Sequence, residues 1–244
     1  MRRVIRPALP KAVQTYLNKR QSSTNTKRGA GQLDIEKDWK TARRTKKLES
    51  VLITLQQMMG PRERCMYCVD SHGSDIEHFR PKGRYPRRAF QWSNMLLCCT
   101  ECGRIKGTQF PVSGRRPLLI DPSIEDPWQH LDFDPVTGNL TARFDVQAND
   151  WSPKGSKTVE VLRLNRREAV AAGCVKTLTR LAAIVQTSLV GGVIAPQVLI
   201  DELKQADDHG LLGWCFSSTG RILPPFSDLY QHHPAVWSQC TRAL

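Results

Sequence analysis

From Asp34 onward, apolar residues recur at three- and four-residue steps: Ile35, Trp39, Leu48, Val51, Leu52, Leu55 and Met59 form one stripe. This predicts a long amphipathic helix over 34–60, ended by Gly60-Pro61. Its other face carries Arg43, Arg44, Lys46 and Lys47, so it could lie along phosphates or simply be solvated. Residues 1–33 hold Pro, Lys, Arg, Ser, Thr and Gly with little apolar period. They predict a basic N-terminal arm, with "SSTNTKRGAGQ" as a flexible linker. Leu131 and Phe133, then Leu140, Ala142 and Phe144, alternate about "PVTGN", the pattern of a β-hairpin. Val170, Cys174, Leu178, Leu181, Val185 and Leu189 make a helical stripe ending at Gly191-Gly192, with Asn165 and Glu168 spaced as a capping box. That stripe turns Cys174 to a core. A further helix is predicted from Pro196 through Asp208, with Gly210 past its end. The aromatic tail shows no clear period.

The stretch "LAAIVQTSLVGGVIAPQVLI" is broken by Gln, Thr, Ser, Gly and Pro, so it reads as helix, turn, helix and not as a membrane span. The basic N-terminus is not followed by the apolar run of a secretory signal. A soluble, cytoplasmic protein is expected. The net charge of +13 is concentrated before residue 50 and around "RPKGRYPRR" and "GRRP". It favours a polyanionic partner, with nucleic acid ahead of an acidic protein or a membrane surface.

Four of the eight cysteines form two close pairs, Cys65/Cys68 and Cys99/Cys102. In a chain of this length without an export signal, metal binding explains them better than disulfides, and tetrahedral zinc suits two Cys-x-x-Cys turns. Cys98 could replace Cys99, but Cys99 keeps the spacing to Cys102, so Cys98 should point into the core. His232-His233 with Cys215 or Cys240 lack zinc spacing. The insert between the pairs is long enough for a two-stranded hairpin whose ends the zinc clamps against a following helix. Within it "SDIEHFRP" alternates like a strand and places Glu77 and His78 on consecutive, opposite-facing positions. A histidine that activates water and a carboxylate that holds a metal can thus approach one phosphate from two sides.

Taken in order, Cys-x-x-Cys, "DIEHFRPK", "WSN" and "CTECGRIKG" resemble the HNH family of nucleases, also called His-Me finger or ββα-metal nucleases. The resemblance implies an α+β protein: a zinc-stapled ββα-metal (HNH) finger over 61–128, embedded in a mostly helical domain with a small β-hairpin. Residues 129–244 would be a hairpin and helical region packed on the finger. It implies a metal-dependent endonuclease in which His78 is the general base, Glu77 binds a catalytic Mg or Mn ion, and Asn94 orients His78 through the hairpin loop. Lys106 would sit near phosphate, Arg80, Lys82 and Arg104 would contact substrate, and Cys65, Cys68, Cys99 and Cys102 would hold structural zinc. Trp92 would pack against the hairpin. The family's last ligand, an Asn or His directly after the final cysteine, is replaced by Gly103. Three readings remain open: Glu77, water and substrate phosphate hold the ion; a group such as Asp75 compensates; or the site is weakened or dead.

A broader likeness over about residues 60–175 includes "PLLIDPSIEDPWQHLDFDPVTGNL" and "TVEVLRLNRREAV". These stretches resemble the PtuB-like HNH proteins that accompany an ABC- or SMC-like ATPase in Septu anti-phage systems and in some retrons. The expected partners are therefore nucleic acid, that ATPase, and a retron reverse transcriptase with its DNA product, with no membrane. The arm and the 34–60 helix could then be a docking segment. RNA, for instance tRNA, is an alternative substrate. A non-catalytic zinc module that binds nucleic acid or the ATPase is the reading from a different class.

Overall fold

The structure, a computed structural model, describes residues 1–192 and 194–243. The chain divides into two compact units, Arg3–Ile124, and Glu125–Leu244 with Met1–Arg2. Both are built of helices with small antiparallel strand pairs, an α+β composition. No helix among the described residues is long and apolar enough to cross a membrane.

In the first unit, helix α1 spans Lys11–Gly29, where the sequence predicts an irregular arm and linker. Its buried strip is only Val13, Leu17 and Thr24, too sparse to register as a period, and every other position is free to be polar. Pro10 stands at the N-cap and Lys27 and Arg28 fill the last turn, both favourable to a helix. The helix packs on α3 (Lys46–Met58) and on the tight turn Pro86–Arg88. The predicted single helix over 34–60 is also corrected. It is α2 (Ile35–Arg43), capped by Asp34, followed by α3, capped by Thr45. The Thr45 hydroxyl donates to the Ala42 carbonyl and accepts from the Leu48 N–H, a local alternative to the helix ladder. The apolar stripe runs across this break because both helices bury the same side, through Trp39 and Ala42 and then Leu48, Val51 and Leu55.

Strand β1 (Asp75–His78) pairs antiparallel with β2 (Met95–Cys98), in a register that sets Asp75 opposite Cys98 and His78 opposite Met95. All of β2 is buried. Helix α4 (Thr100–Lys106) follows at once and packs on β1. A short pair, β3 (Val112–Ser113) and β4 (Arg116–Pro117), comes after it.

In the second unit, β5 (Leu131–Phe133) and β6 (Leu140–Ala142) form the expected hairpin. A second one, β7 (Phe144–Asp145) with β8 (Asp150–Trp151), takes Phe144 out of the first. Helix α5 (Pro153–Leu162) precedes α6 (Glu168–Val190), whose stripe buries Val170, Cys174, Leu181 and Val185. The expected capping box is absent: Arg167 is the N-cap, and the Asn165 amide instead accepts from the Leu140 N–H at 2.9 Å and donates to its carbonyl at 2.7 Å. An edge strand offers both groups unpaired, and one amide satisfies both. Helices α7 (Pro196–Ala206), α8 (Leu212–Ser217), α9 (Phe226–His232) and α10 (Pro234–Ala243) complete the unit around Trp214, Phe216, Phe226 and Trp237.

Candidate active site

The two Cys-x-x-Cys pairs converge. The ligand atoms of Cys65, Cys68, Cys99 and Cys102 all lie within 4.8 Å of one another, and all four residues are buried. Cys65 and Cys68 sit in a turn closed by the Val69 N–H on the Cys65 carbonyl. Cys99 caps α4, its sulfur accepting from the Cys102 N–H at 3.4 Å, the hydrogen bond that steadies a thiolate ligand. Burial pushes the Cys65 thiol up, while hydrogen bonds from Cys102, Cys65 and Cys99 pull Cys68 down. Four thiolates cannot share such a space without a cation, and the cluster could hold a metal such as zinc. Cys98 is buried beside it with its thiol given to the Cys99 carbonyl.

Glu77 and His78 end β1 and border a cavity of about 530 Å³, together with Asp75, Lys82, Gly103 and Arg104. Its other wall is α2, which contributes Glu36, Trp39 and Arg43. His78 is buried, with Nε2 2.8 Å from the Ala89 carbonyl oxygen. A carbonyl only accepts, so Nε2 carries the proton and Nδ1 is the nitrogen left with a lone pair. The Trp39 ring meets the imidazole edge-on at 4.3 Å between centroids. Burial lowers the imidazole to about 3; the Ala89 carbonyl opposes this, and Lys82 and Lys106 add to it.

Lys106 differs from its expected place at the surface near phosphate. It is fully buried, and its Nζ donates to Glu77 Oε1 at 2.6 Å and to the His78 carbonyl at 2.9 Å. Burial raises the Glu77 carboxyl above its usual range against the pull of Lys106 and Lys82. Cys102 and Lys106 are four residues apart on α4 and therefore share a face. This is the sequence signal that would have turned Lys106 inward.

Asn94 is also buried. Its Oδ1 accepts from the Arg80 N–H at 2.8 Å, and its Nδ2 donates to the Arg80 and Arg88 carbonyls at 3.0 Å each. One amide thus pins both ends of the loop between β1 and β2, one residue from the carbonyl that holds His78. Of the three basic residues expected at substrate, Lys82 borders the cavity 3.0 Å from Glu36, and Arg104 borders it exposed. The Arg80 guanidinium instead lies over Phe110 at 5.1 Å and Tyr85 at 5.6 Å. Trp92 is buried under the Arg6 guanidinium and donates to the Pro7 carbonyl.

A Cβ at Gly103 would stand 3.6 Å from Cys98 Sγ and 3.8 Å from Glu77 Oε2, ordinary contacts. The space is therefore open and faces the carboxylate. Asp75, the other acid that could compensate, is paired with Arg43. Glu77 offers Oε2 toward that space, so the residues fit a divalent ion only as a shared site, with water and a phosphate completing the coordination. The contributions of Trp39, Glu36 and Arg43 were not legible, since helical periodicity marks a buried face without naming what it touches.

The displaced imidazole has a consequence for stability. Its native value of about 3 lies below the ordinary 6.5. Between those values the unfolded chain binds a proton that the native ring refuses, so this contribution is complete above about pH 6.5 and is lost as pH falls toward 3. Urea unfolding at pH 7.5 and 5.5 should show wild type losing about 1 kcal/mol more than His78→Gln. Protonation of the cysteine cluster is common to both proteins and cancels. Equal losses would remove the assignment of a neutral native imidazole.

The chain is similar to Septu protein PtuB of Bacillus mycoides (strain KBAB4), 33% identical over 164 residues, or 54% of this chain and 52% of that protein. It is also similar to Septu protein PtuB of Bacillus thuringiensis, 30% identical over 108 residues, 42% of this chain and 37% of that protein. Septu protein PtuA of Bacillus mycoides (strain KBAB4) matches at 29% over 133 residues, 42% of this chain and 18% of that protein. The chain thus spans about half, or less, of the curated relatives it matches. No family model matches it.

Proposed function

We propose, from the likeness to Septu protein PtuB, that the chain is a Septu-type anti-phage defence component and a metal-dependent HNH endonuclease that hydrolyses phosphodiesters, DNA in preference to RNA. The observation that supports this most is an immobilised His78, one ring nitrogen held on the Ala89 carbonyl, next to Glu77 on one short strand and beside a cluster that could hold zinc. With Nε2–H fixed on the Ala89 carbonyl, His78 Nδ1 takes the proton of the attacking water. Asn94 keeps that carbonyl in place by holding the loop around it. Lys106 sets the rotamer of Glu77 and ties it to the His78 backbone. Glu77 Oε2 would hold a Mg or Mn ion, whose charge would offset that of the pentavalent transition state. Lys82 and Arg104 would attract the backbone phosphates. Arg80, committed to its aromatic neighbours, would shape the loop and leave the phosphates to them.

The partner is an ABC- or SMC-like ATPase in this reading. The test is cleavage of plasmid, single-stranded DNA and total tRNA in Mg or Mn, with and without that ATPase. Cleavage of tRNA alone would move the substrate to RNA. Salt-sensitive binding with no cleavage under any condition would favour a non-catalytic zinc module, a reading that Gly103 supports.

A further inference from the structure

Around the cavity every lining carboxylate already has a task. Asp34 caps α2, Glu36 meets Lys82, Asp75 is paired with Arg43, and Glu77 is paired with Lys106. The last pair is unlike the others, because its cation is fully buried and also anchored to the His78 carbonyl. Lys106 is therefore a fixed part of the wall and not a mobile surface charge. A free divalent ion approaching Glu77 would find one oxygen, Oε2, with an ammonium held on the other. Lys82 acts on the same carboxylate, since both lysines pull it down. A hard cation needs about six oxygen ligands, and one protein oxygen next to a resident cation does not make such a cage.

We propose that this is an anion-first site: Lys106 is the standing counter-ion of Glu77, and a divalent ion is admitted only after a nucleic-acid phosphate has added negative charge and oxygen ligands. The inference rests on the reading of Glu77 and His78 as a hydrolytic centre and specifies the order in which that centre fills. Nucleic acid binds without metal, through Arg104 and Lys82. The phosphate then shifts the balance at Glu77 Oε2 from repulsion to attraction. Gly103 fits this arrangement, because the open space in front of Oε2 is where phosphate and water can enter.

The test uses the whole zinc-loaded chain and reads the free Mn2+ signal by electron paramagnetic resonance, corrected for Mn2+ on nucleic acid alone. Three titrations are compared: protein alone, protein with a phosphorothioate duplex, and protein with the uncharged methylphosphonate duplex. Mn2+ affinity should rise at least about tenfold with the charged duplex and not with the uncharged one. Lys106→Met should raise affinity at least about tenfold without any duplex, its zinc content and melting temperature showing that it is folded. Should Lys106→Met fail to fold, Lys82→Met should move affinity the same way by a smaller factor. Equal Mn2+ affinity with and without the charged duplex overturns the inference, as does unchanged affinity in a folded Lys106→Met. If fluorescence anisotropy shows the duplex bound with no gain in Mn2+, the inference fails and the nuclease reading stands. A duplex that does not bind at all removes the inference and the preference for double-stranded DNA, while the nuclease reading then rests on the single-stranded DNA and tRNA assays.

Discussion

Replacement of His78 by alanine is expected to lower phosphodiester cleavage about 10²- to 10⁴-fold, the range contributed by a positioned general base. The size follows from how completely the ring is committed. Its Nε2–H is held by the Ala89 carbonyl, the Trp39 ring packs against it in a T-shaped contact, and among the described residues no other imidazole borders the cavity. Alanine removes the acceptor nitrogen and leaves Glu77, Lys106 and the cysteine cluster in place. The control is therefore zinc content and thermal unfolding, where the lost packing costs about 2–4 kcal/mol without releasing the metal. A folded His78→Ala protein that cuts as fast as wild type would falsify the assignment of the base.

Loss of a metal from the cysteine cluster should act on the fold itself. Cys102→Ser replaces a fully buried thiol of the four-cysteine cluster, on the first turn of α4 and next to the Cys99 that caps it. Structural zinc contributes about 10–16 kcal/mol in small fingers, as much as the whole stability of a typical domain. Elemental analysis should give about one zinc per chain in wild type and none in Cys102→Ser, with cooperative unfolding of the 3–124 unit abolished. Cys98→Ala is the matched control, since Cys98 gives its thiol to the Cys99 carbonyl and lies outside the cluster. It should keep its zinc. If Cys102→Ser retains metal and an unchanged transition, the cluster is not what closes β1, β2 and α4 together.

The cysteine cluster was legible because its information is local: two short spacings, each fixing a turn, and a helix capped by its own ligand. Helix α6 was legible for the same reason, since a stripe of Val170, Cys174, Leu181 and Val185 needs no partner to be read. Helix α1 was not. Its buried strip of Val13, Leu17 and Thr24 is too thin for a period to register, and its helicity comes from packing on α3 and the Pro86–Arg88 turn. The break at Thr45 was hidden by a continuous apolar face, although a threonine that can accept from the third N–H beyond it is a cap wherever it stands. At the site, sequence order brought Glu77, His78 and Asn94 into view together. Order along the chain does not carry burial; the four-residue step from Cys102 to Lys106, which sets both on one face of α4, is the signal that separates a surface lysine from the internal cation that Lys106 is.

Helix α2 meets the site at three points: Trp39 on the His78 ring, Glu36 on Lys82, and Arg43 on Asp75. All three residues precede the first cysteine by more than twenty positions. A minimal fragment cut from the cysteine pairs and the segment between them would keep every residue that the motif names and still lose one wall of its cavity. His78 would then stand in water, its imidazole released toward an ordinary value and free to turn away from Ala89. The smallest piece that keeps this cavity whole therefore starts before Asp34, and any transplant of the site into another scaffold must carry α2 with it.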